Sequence, residues 1–254
     1  MRCLTVKNQF ERTCLTFGRE NMEKIFASRV IVFGIGGVGS YVVEALARSG
    51  VGAIDIVDDD TVCLSNLNRQ LFALHSTVGK DKVDAAQERI LDINPECTVT
   101  KHKVFFMPET AGQFDFSLYD YVIDCIDTVT GKLAIILKAK EAGVPVISSM
   151  GAGNKVEPAK LQVADISKTS VCPLARVMRG ELKKRGIKHL KCVFSTEKVI
   201  PPQESRSGAG EENNSAHQKR QTPGSNAFVP SVAGLLIASE VLRDLTDFHV
   251  SKLV

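Results

Sequence analysis

The sequence lacks the paired cysteines from which zinc sites and disulfide frameworks are usually built. Its seven cysteines are scattered over 254 residues, and no two of them stand in a Cys-x-x-Cys spacing. Neither a four-cysteine zinc site nor a disulfide scaffold is therefore indicated. Unpaired thiols fit a reducing compartment, so a cytoplasmic protein is expected.

Long apolar runs are missing as well. The N-terminus, MRCLTVK, has no signal-peptide core. The strongest apolar segment, 227–238, contains Pro230 and Gly234, and it is shorter than the roughly 20 residues that cross a bilayer. We interpret it as the start of a buried helix and expect no membrane association.

An excess of one charge is also absent. The net charge of +3 is too small to make the whole protein a nucleic-acid binder, so that role would need a local patch. Apolar residues make up 44% and charged residues 24%, which is ordinary for a globular protein of this size.

Strands and helices alternate over the first 150 residues. Strands are predicted at 29–34, 53–57, 98–104, 121–126 and 144–148, and helices at 40–49, 79–93 and 132–142. This order predicts an α/β fold with a Rossmann-like, doubly wound and mostly parallel sheet.

The pattern is less regular after residue 150. A strand at 160–166, a helix at 173–185, a strand at 191–196 and a closing helix at 230–245 are predicted. Residues 201–226 are rich in Pro, Ser, Gly, Asn and Gln, which predicts a long mobile loop. The chain is interpreted as one domain, 1–254, with an N-terminal arm or helix (1–28), a nucleotide-binding core (29–150) and a substrate-side extension (151–254).

A glycine-rich loop, GIGGVG, joins the first strand to the first helix of the core. Backbone amides and a helix N-terminus at this point bind phosphate, so Gly34, Gly36, Gly37 and Gly39 are candidate cofactor-binding residues. Three aspartates, Asp58 to Asp60, end the second strand, where a carboxylate accepts hydrogen bonds from ribose hydroxyls. These features alone fit a nicotinamide dinucleotide as well as a mononucleotide.

The residues that follow favour a triphosphate. Asn66, Arg69 and Gln70 lie just beyond the ribose carboxylate in SNLNRQ, and a guanidinium there suits a departing pyrophosphate better than hydride transfer. Lys82 adds a cation at a predicted helix start, and Asp127 follows a strand where it suits Mg²⁺ on phosphate oxygens. The ordinary alternatives are solvated cations and an aspartate that caps the next helix. The occurrence of Arg69, Lys82 and Asp127 together in this order favours an ATP–Mg²⁺ site over those alternatives.

At these residues the sequence resembles the ThiF/MoeB group of the ubiquitin-activating-enzyme superfamily, from the glycine loop through SNLNRQ to CID at 125–127. The resemblance implies adenylation, in which a carboxylate attacks the α-phosphate of ATP and gives an acyl-adenylate and pyrophosphate. It implies that Asp58 and Lys82 hold the ribose end, Asn66 and Arg69 the phosphates with Gln70 beside them, and Asp127 the metal.

The same resemblance concerns the N-terminal segment RTCLTFG. Its Arg12 matches an arginine that reaches the phosphates of the partner subunit in this family, which implies a homodimer. Arg12, Arg69, Lys82 and Asp127 are thus the expected catalytic residues. The alternative for Arg12 is ordinary packing on the surface.

Four further strings, three of them in the second half, resemble a tRNA-modifying, dehydrating branch of the family. They are NPEC at 94–97, GAG at 151–153, CVFSTE at 192–197 and FVPSVAG at 228–234. The branch implies that the activated group is the threonyl carboxylate of threonylcarbamoyladenosine in tRNA, and that an internal attack then closes a ring with net loss of water. Residues 198–226 do not match the branch pattern.

Other functions remain as alternatives. An activator of the C-terminus of a sulfur-carrier or ubiquitin-like protein, with sulfur-transfer partners, would share the ATP site, but the missing Cys-x-x-Cys pairs argue against it. A scaffold without catalysis and a nicotinamide oxidoreductase are weaker still.

Two features stay open at this point. Cys192, within CVFSTE, is either a functional thiol or a buried inert cysteine. A basic segment with the single acid Glu181 is either a phosphate-binding patch for tRNA or a solvated face. Its seven cations are Arg176, Arg179, Lys183, Lys184, Arg185, Lys188 and Lys191.

Overall fold

The computed structural model describes residues 9–201 and 223–248. The helices are α1 (Glu11–Phe17), α2 (Arg19–Ala27), α3 (Gly39–Ser49), α4 (Lys82–Ile93), α5 (Val129–Glu141), α6 (Pro173–Lys184) and α7 (Val229–Thr246). The strands are β1 (Arg29–Phe33), β2 (Ala53–Val57), β3 (Thr98–His102), β4 (Tyr121–Asp124), β5 (Val146–Ser149), β6 (Leu161–Asp165) and β7 (Lys191–Ser195). Within these residues no helix is long and apolar enough to cross a membrane.

The strands form one seven-stranded sheet in the order β3-β2-β1-β4-β5-β7-β6. All neighbouring pairs are parallel except β6, which runs antiparallel to β7 at the edge. The predicted α/β class with a Rossmann-like, mostly parallel sheet is confirmed. Because the chain reverses its direction of winding at β1, the loops after β1 and β4 diverge there and leave a crevice for a ligand.

The hydrophobic core lies on both faces of the sheet. On one face, α3, α4 and α7 pack over residues such as Val32 and Ile54. On the other, α5 and α6 cover Ile31 and a ring cluster in which Phe33 contacts Phe106, Phe114 and Phe116. A sheet covered on both faces explains why its central strands read as continuous apolar runs.

Most predicted elements are present, with shifts of a few residues at their ends. The fourth strand ends at Asp124, two residues earlier than predicted, so Asp127 lies in the loop before α5. Helix α4 begins at Lys82 because Gly79 takes a left-handed φ of +86° and pairs with Val62. The predicted arm contains α1 and α2, and residues 202–222 of the predicted mobile loop lie outside the described residues.

Candidate nucleotide-binding site

A cleft of about 630 Å³ opens at the carboxyl ends of the central strands. The loops that follow β1, β2, β4 and β5 all contribute to its walls, as the position of the crevice requires. The site residues predicted from the sequence that line it are Gly34, Gly36, Gly37, Asp58, Asp60, Asn66, Arg69, Gln70, Lys82 and Asp127.

The glycine loop owes its shape to two glycines with different roles. Gly34 has a φ of +80°, and a Cβ on it would lie 2.9 Å from Ile126 Cγ2, so no other residue fits there without strain. A Cβ on Gly39 would lie 1.8 Å from the Gly34 carbonyl oxygen, so Gly39 lets the first turn of α3 pack on the loop and does not itself line the cleft. No side chain caps α3, and the amides of Ser40 and Tyr41 donate to the carbonyls of Gly36 and Val38. The anion-binding amides are therefore those of the glycine loop that leads into the helix.

Asp58 is nearly buried at the end of β2 and tied to the glycine loop. Its carboxylate accepts hydrogen bonds from the backbone amides of Ile35 at 2.9 Å and Asp60 at 3.1 Å. Burial raises its pKa above the usual range, although the ammonium of Lys82 lies 3.6 Å away and opposes that shift. A carboxylate that is held this firmly offers a fixed acceptor to a ribose.

Lys82 is buried at the first position of α4, which is unfavourable for a cation unless acids are close. Its ammonium donates to the Asp60 carboxylate at 2.6 Å. The pair fixes the lysine over Asp58, so the cation and both acids lie together at the predicted ribose end of the cleft.

Arg69 is the cation of the phosphate end. Its guanidinium donates to the Ser65 carbonyl at 3.0 Å and the Asn68 amide oxygen at 2.8 Å, and its stem lies against Gly37. Desolvation lowers its pKa, and among the described residues no carboxylate opposes that shift. A half-buried guanidinium without an acid beside a phosphate loop is poised for an anionic ligand.

Asn66 and Gln70 frame the loop that carries Arg69. The Asn66 amide oxygen accepts from the Cys63 backbone at 3.2 Å, which closes a short 3-10 turn, and the Gln70 amide is buried near Gly36. The side-chain oxygen of Asn66 therefore helps to shape the loop, and its NH₂ group is left to contact the phosphates as predicted.

Asp127 is exposed in the cleft, in the loop between β4 and α5. Beneath it lies a buried group that the sequence did not predict. The Lys132 ammonium donates to the Asp124 carboxylate at 3.0 Å and to the Ser149 carbonyl at 2.7 Å, and Ser148 also donates to Asp124. This group anchors the ends of β4 and β5 and thereby the loop that presents Asp127.

The cleft wall after β5 was also missed as a functional element. Residues 151–155 line it, and Glu197 accepts hydrogen bonds from the backbone amides of Val156 and Glu157, both at 2.9 Å. The segment 223–226 closes this wall, where Gly224 donates to the Asn154 side chain at 2.6 Å. Only the resemblance of GAG and CVFSTE to a known branch signalled its importance in the sequence.

Two predicted residues lie away from the cleft of their own chain. Arg12 is exposed on α1 and does not line it. Cys192 is fully buried in β7, its thiol contacts the Ala164 carbonyl, and burial raises its pKa to about 12. The buried, inert alternative therefore describes Cys192 better than a functional thiol.

The donor set around Asp127 suits Mg²⁺. This ion binds through one or two carboxylates together with substrate phosphates and waters. Asp127 makes no ion pair among the described residues, whereas Asp60 and Asp124 are each bonded to a lysine. Among the described residues that line the cleft, Asp59 also makes no ion pair, and Asp58, Asp59 and Asp60 lie close enough together to share an ion. Asp127 is the free carboxylate at the end of β4, next to the phosphate loop.

The sheet order and the position of the cleft place the chain in the Rossmann-like class of nucleotide-binding proteins. Within that class it belongs to the ThiF family, whose profile matches residues 10–253. The family resemblance drawn from the glycine loop, SNLNRQ and CID is thereby confirmed.

The chain is similar to named relatives along almost its whole length. It is 48% identical over 249 residues to the tRNA threonylcarbamoyladenosine dehydratase of Bacillus subtilis (strain 168), covering 96% of this chain and 98% of that protein. The crystal structure of the E. coli dehydratase TcdA with AMP superposes with a TM-score of 0.84 at 35% identity, covering 94% of both chains. The ATP complex of the same enzyme gives 0.83, with the same identity and coverage.

Proposed function

We propose that this protein is an ATP-dependent tRNA threonylcarbamoyladenosine dehydratase. It adenylates the threonyl carboxylate of the modified nucleoside and then closes a ring, releasing AMP and pyrophosphate. The observation that carries the proposal is Arg69, a half-buried guanidinium without an acid, which shares one cleft with the glycine loop and Asp127. Similarity to named dehydratases over nearly the full chain supports this choice of substrate.

The cleft accounts for the binding of ATP. Asp58 accepts from the ribose hydroxyls, because its orientation is fixed by Ile35 and Lys82. The amides of the glycine loop before α3 and the Arg69 guanidinium then surround the phosphates. In this arrangement the nucleotide runs from the end of β2 toward the end of β4.

In the first step an oxygen of the threonyl carboxylate attacks the α-phosphorus, and the bond between that phosphorus and the bridging oxygen of the β-phosphate breaks. Arg69 stabilises the negative charge that develops on the departing pyrophosphate. Asp127 would hold Mg²⁺, which supplies further charge neutralisation at the phosphates when it is bound.

In the second step a nucleophile of the same modified nucleoside attacks the acyl carbon and releases its proton. The bond between that carbon and the oxygen shared with AMP breaks, so AMP leaves with the former carboxylate oxygen. The sum is loss of one water from the substrate. An attacking group within the substrate makes an enzyme thioester unnecessary. Desolvation raises the pKa of Cys125, which lines the cleft, and so keeps that thiol protonated and poorly nucleophilic.

The proposal includes a homodimer in which the partner's copy of the N-terminal arginine completes each site. Arg12 is exposed and lies outside the cleft of its own chain, as a residue that acts across an interface requires. It also includes the division of the chain into a nucleotide-binding core, 29–150, and a substrate-side extension, 151–254, in a cytoplasmic protein.

The test is AMP formation from ATP with two acceptors compared side by side. Modified tRNA carrying threonylcarbamoyladenosine is expected to support AMP release, and a sulfur-carrier protein with a Gly-Gly end is not. The reverse result would assign the chain to carrier activation. Tight binding of NAD in preference to ATP would overturn adenylation altogether.

A further inference from the structure

Three lysines are buried in the described part of the chain: Lys82, Lys132 and Lys155. The first donates to the Asp60 carboxylate at 2.6 Å and the second to Asp124 at 3.0 Å. Lys155 differs from both. Among the described residues it forms no salt bridge, and its ammonium donates a hydrogen bond to the Gly151 carbonyl oxygen at 2.6 Å.

Lys155 is only 3% exposed, yet it lines the cleft. Burying an ammonium group without a counter-charge is costly, and the bond to Gly151 uses one of its three donors. Two donors and a full positive charge therefore remain for a ligand in the cleft. An anion bound there would accept hydrogen bonds from the two donors and balance the positive charge.

The loop around Lys155 is held from several sides. The Asn226 side chain donates to the Lys155 carbonyl at 2.6 Å, and Glu197 holds the next two backbone amides. Asn154, at a left-handed φ of 56°, exchanges two hydrogen bonds with Gly224. A charge fixed in this way is preorganised for its ligand and needs little rearrangement on binding.

The strand order decides which anion this is. The ribose acceptor Asp58 follows β2, the phosphate loop follows β1, Asp127 follows β4, and Lys155 lies in the loop after β5. These strands are consecutive neighbours in the sheet, so Lys155 lies beyond the phosphates as seen from the ribose. The group expected there is the acceptor, which approaches the α-phosphorus from outside the nucleotide.

We infer that Lys155 binds the substrate carboxylate that is to be adenylated and orients it toward the α-phosphorus of ATP. This assignment rests on the proposed function and deepens it, since it names the residue that selects an acid. A carboxylate accepts the two remaining donors of the ammonium, whereas a carboxamide in its place offers no charge to balance the buried lysine.

The sharpest variant is Lys155→Gln, which can still donate to the Gly151 carbonyl but carries no charge. We expect kcat/KM for modified tRNA to fall about 10- to 100-fold, the size expected for a buried charge-assisted contact, with ATP affinity unchanged. Lys155→Arg should recover part of the loss. Lys160→Gln is the matched control, because Lys160 is an exposed lysine on the same segment.

Two further readouts separate this role from a structural one. Competition by the free nucleoside threonylcarbamoyladenosine should exceed that of its carboxamide in the wild type, and Lys155→Gln should lose that preference. Thermal unfolding of Lys155→Gln without ligand should occur at or above the wild-type temperature, because an unbalanced buried charge has been removed.

The outcomes distinguish this inference from the proposed function. Wild-type protein that forms no AMP with modified tRNA would overturn both. Active wild type together with a Lys155→Gln variant that keeps its kcat/KM and its preference for the acid would overturn only the role of Lys155. Loss of ATP affinity, or a marked fall in the unfolding temperature, would likewise assign Lys155 to the nucleotide or to the fold instead.

Discussion

Asp124 and Asp127 lie three residues apart near the end of β4, yet the structure gives them opposite environments. Asp124 is fully buried and bonded to Lys132 and Ser148. Asp127 is exposed in the cleft and makes no ion pair among the described residues. For these two aspartates, the presence or absence of a cationic partner separates the structural role from the proposed functional one.

Asp127→Ala should abolish AMP formation while leaving the fold intact. The side chain is solvent-exposed and makes no ion pair with the described residues, so the unfolding temperature should stay unchanged. Loss of a group that stabilises transition-state charge typically costs about 100- to 1000-fold in kcat. The readout is AMP release at saturating ATP, with Asp92→Ala, an exposed aspartate on α4, as the control. Retained turnover would refute the metal role.

At the scale of elements, β4, α5 and β5 are joined beneath the site by the pair Lys132–Asp124. Both side chains are completely buried. Lys132→Met should destabilise the protein by about 3–5 kcal/mol, because it leaves a buried carboxylate without its counter-charge. Denaturant unfolding measures this loss, and Lys138→Met, an exposed lysine of the same helix, serves as the control. A loss below about 1 kcal/mol, the range of surface pairs, would contradict it.

The basic segment around α6 is divided by the structure into two sets. Lys184 and Arg185 pair with Glu181, and Lys191 pairs with Asp244 and Glu240 on α7. The remaining cations surround a groove of about 770 Å³ together with apolar side chains. They are Arg176, Arg179, Lys183 and Lys188. A phosphate-binding surface for tRNA is thus better placed in the groove than along the whole segment.

The groove predicts a difference between two double variants that each lose two charges. Lys183→Gln with Lys188→Gln should weaken tRNA binding and reduce the slope of log affinity against log salt by about 2. Lys184→Gln with Arg185→Gln should change the affinity and the slope less, since both cations pair with Glu181, which offsets one of their two charges. Binding measured over a salt series decides this, and equal effects of both pairs would remove the groove from the proposal.

At the scale of the whole molecule, the site is expected to need two copies of the chain. Arg12→Ala and Asp127→Ala proteins should each be inactive, but a mixture that exchanges subunits should recover activity. Half of randomly mixed dimers are heterodimers with one complete site, so about a quarter of wild-type activity is expected. AMP release after subunit exchange is the measurement, and no recovery in proven heterodimers would place Arg12 outside the site.

The sequence by itself determined the elements and their order. The strand 53–57 was predicted with the observed bounds. An apolar, β-branched run between a glycine and aspartates marks both ends of a buried strand in the local sequence alone. It also identified most of the nucleotide end of the cleft, from Gly34 to Asp127. Parallel strands bring the loops at their carboxyl ends to one edge, so residues after different strands meet there without further information.

Tertiary structure alone decided the roles of the other charges. The pairing of Lys132 with Asp124, the burial of Lys155 and the contact of Asn154 with Gly224 each join segments whose approach no periodicity describes. The basic run at 176–191 likewise stayed open between a phosphate-binding patch and a solvated face until packing paired some of its cations with acids. The free energy of a charge depends on what surrounds it in space, and for these residues the surroundings come from distant parts of the chain.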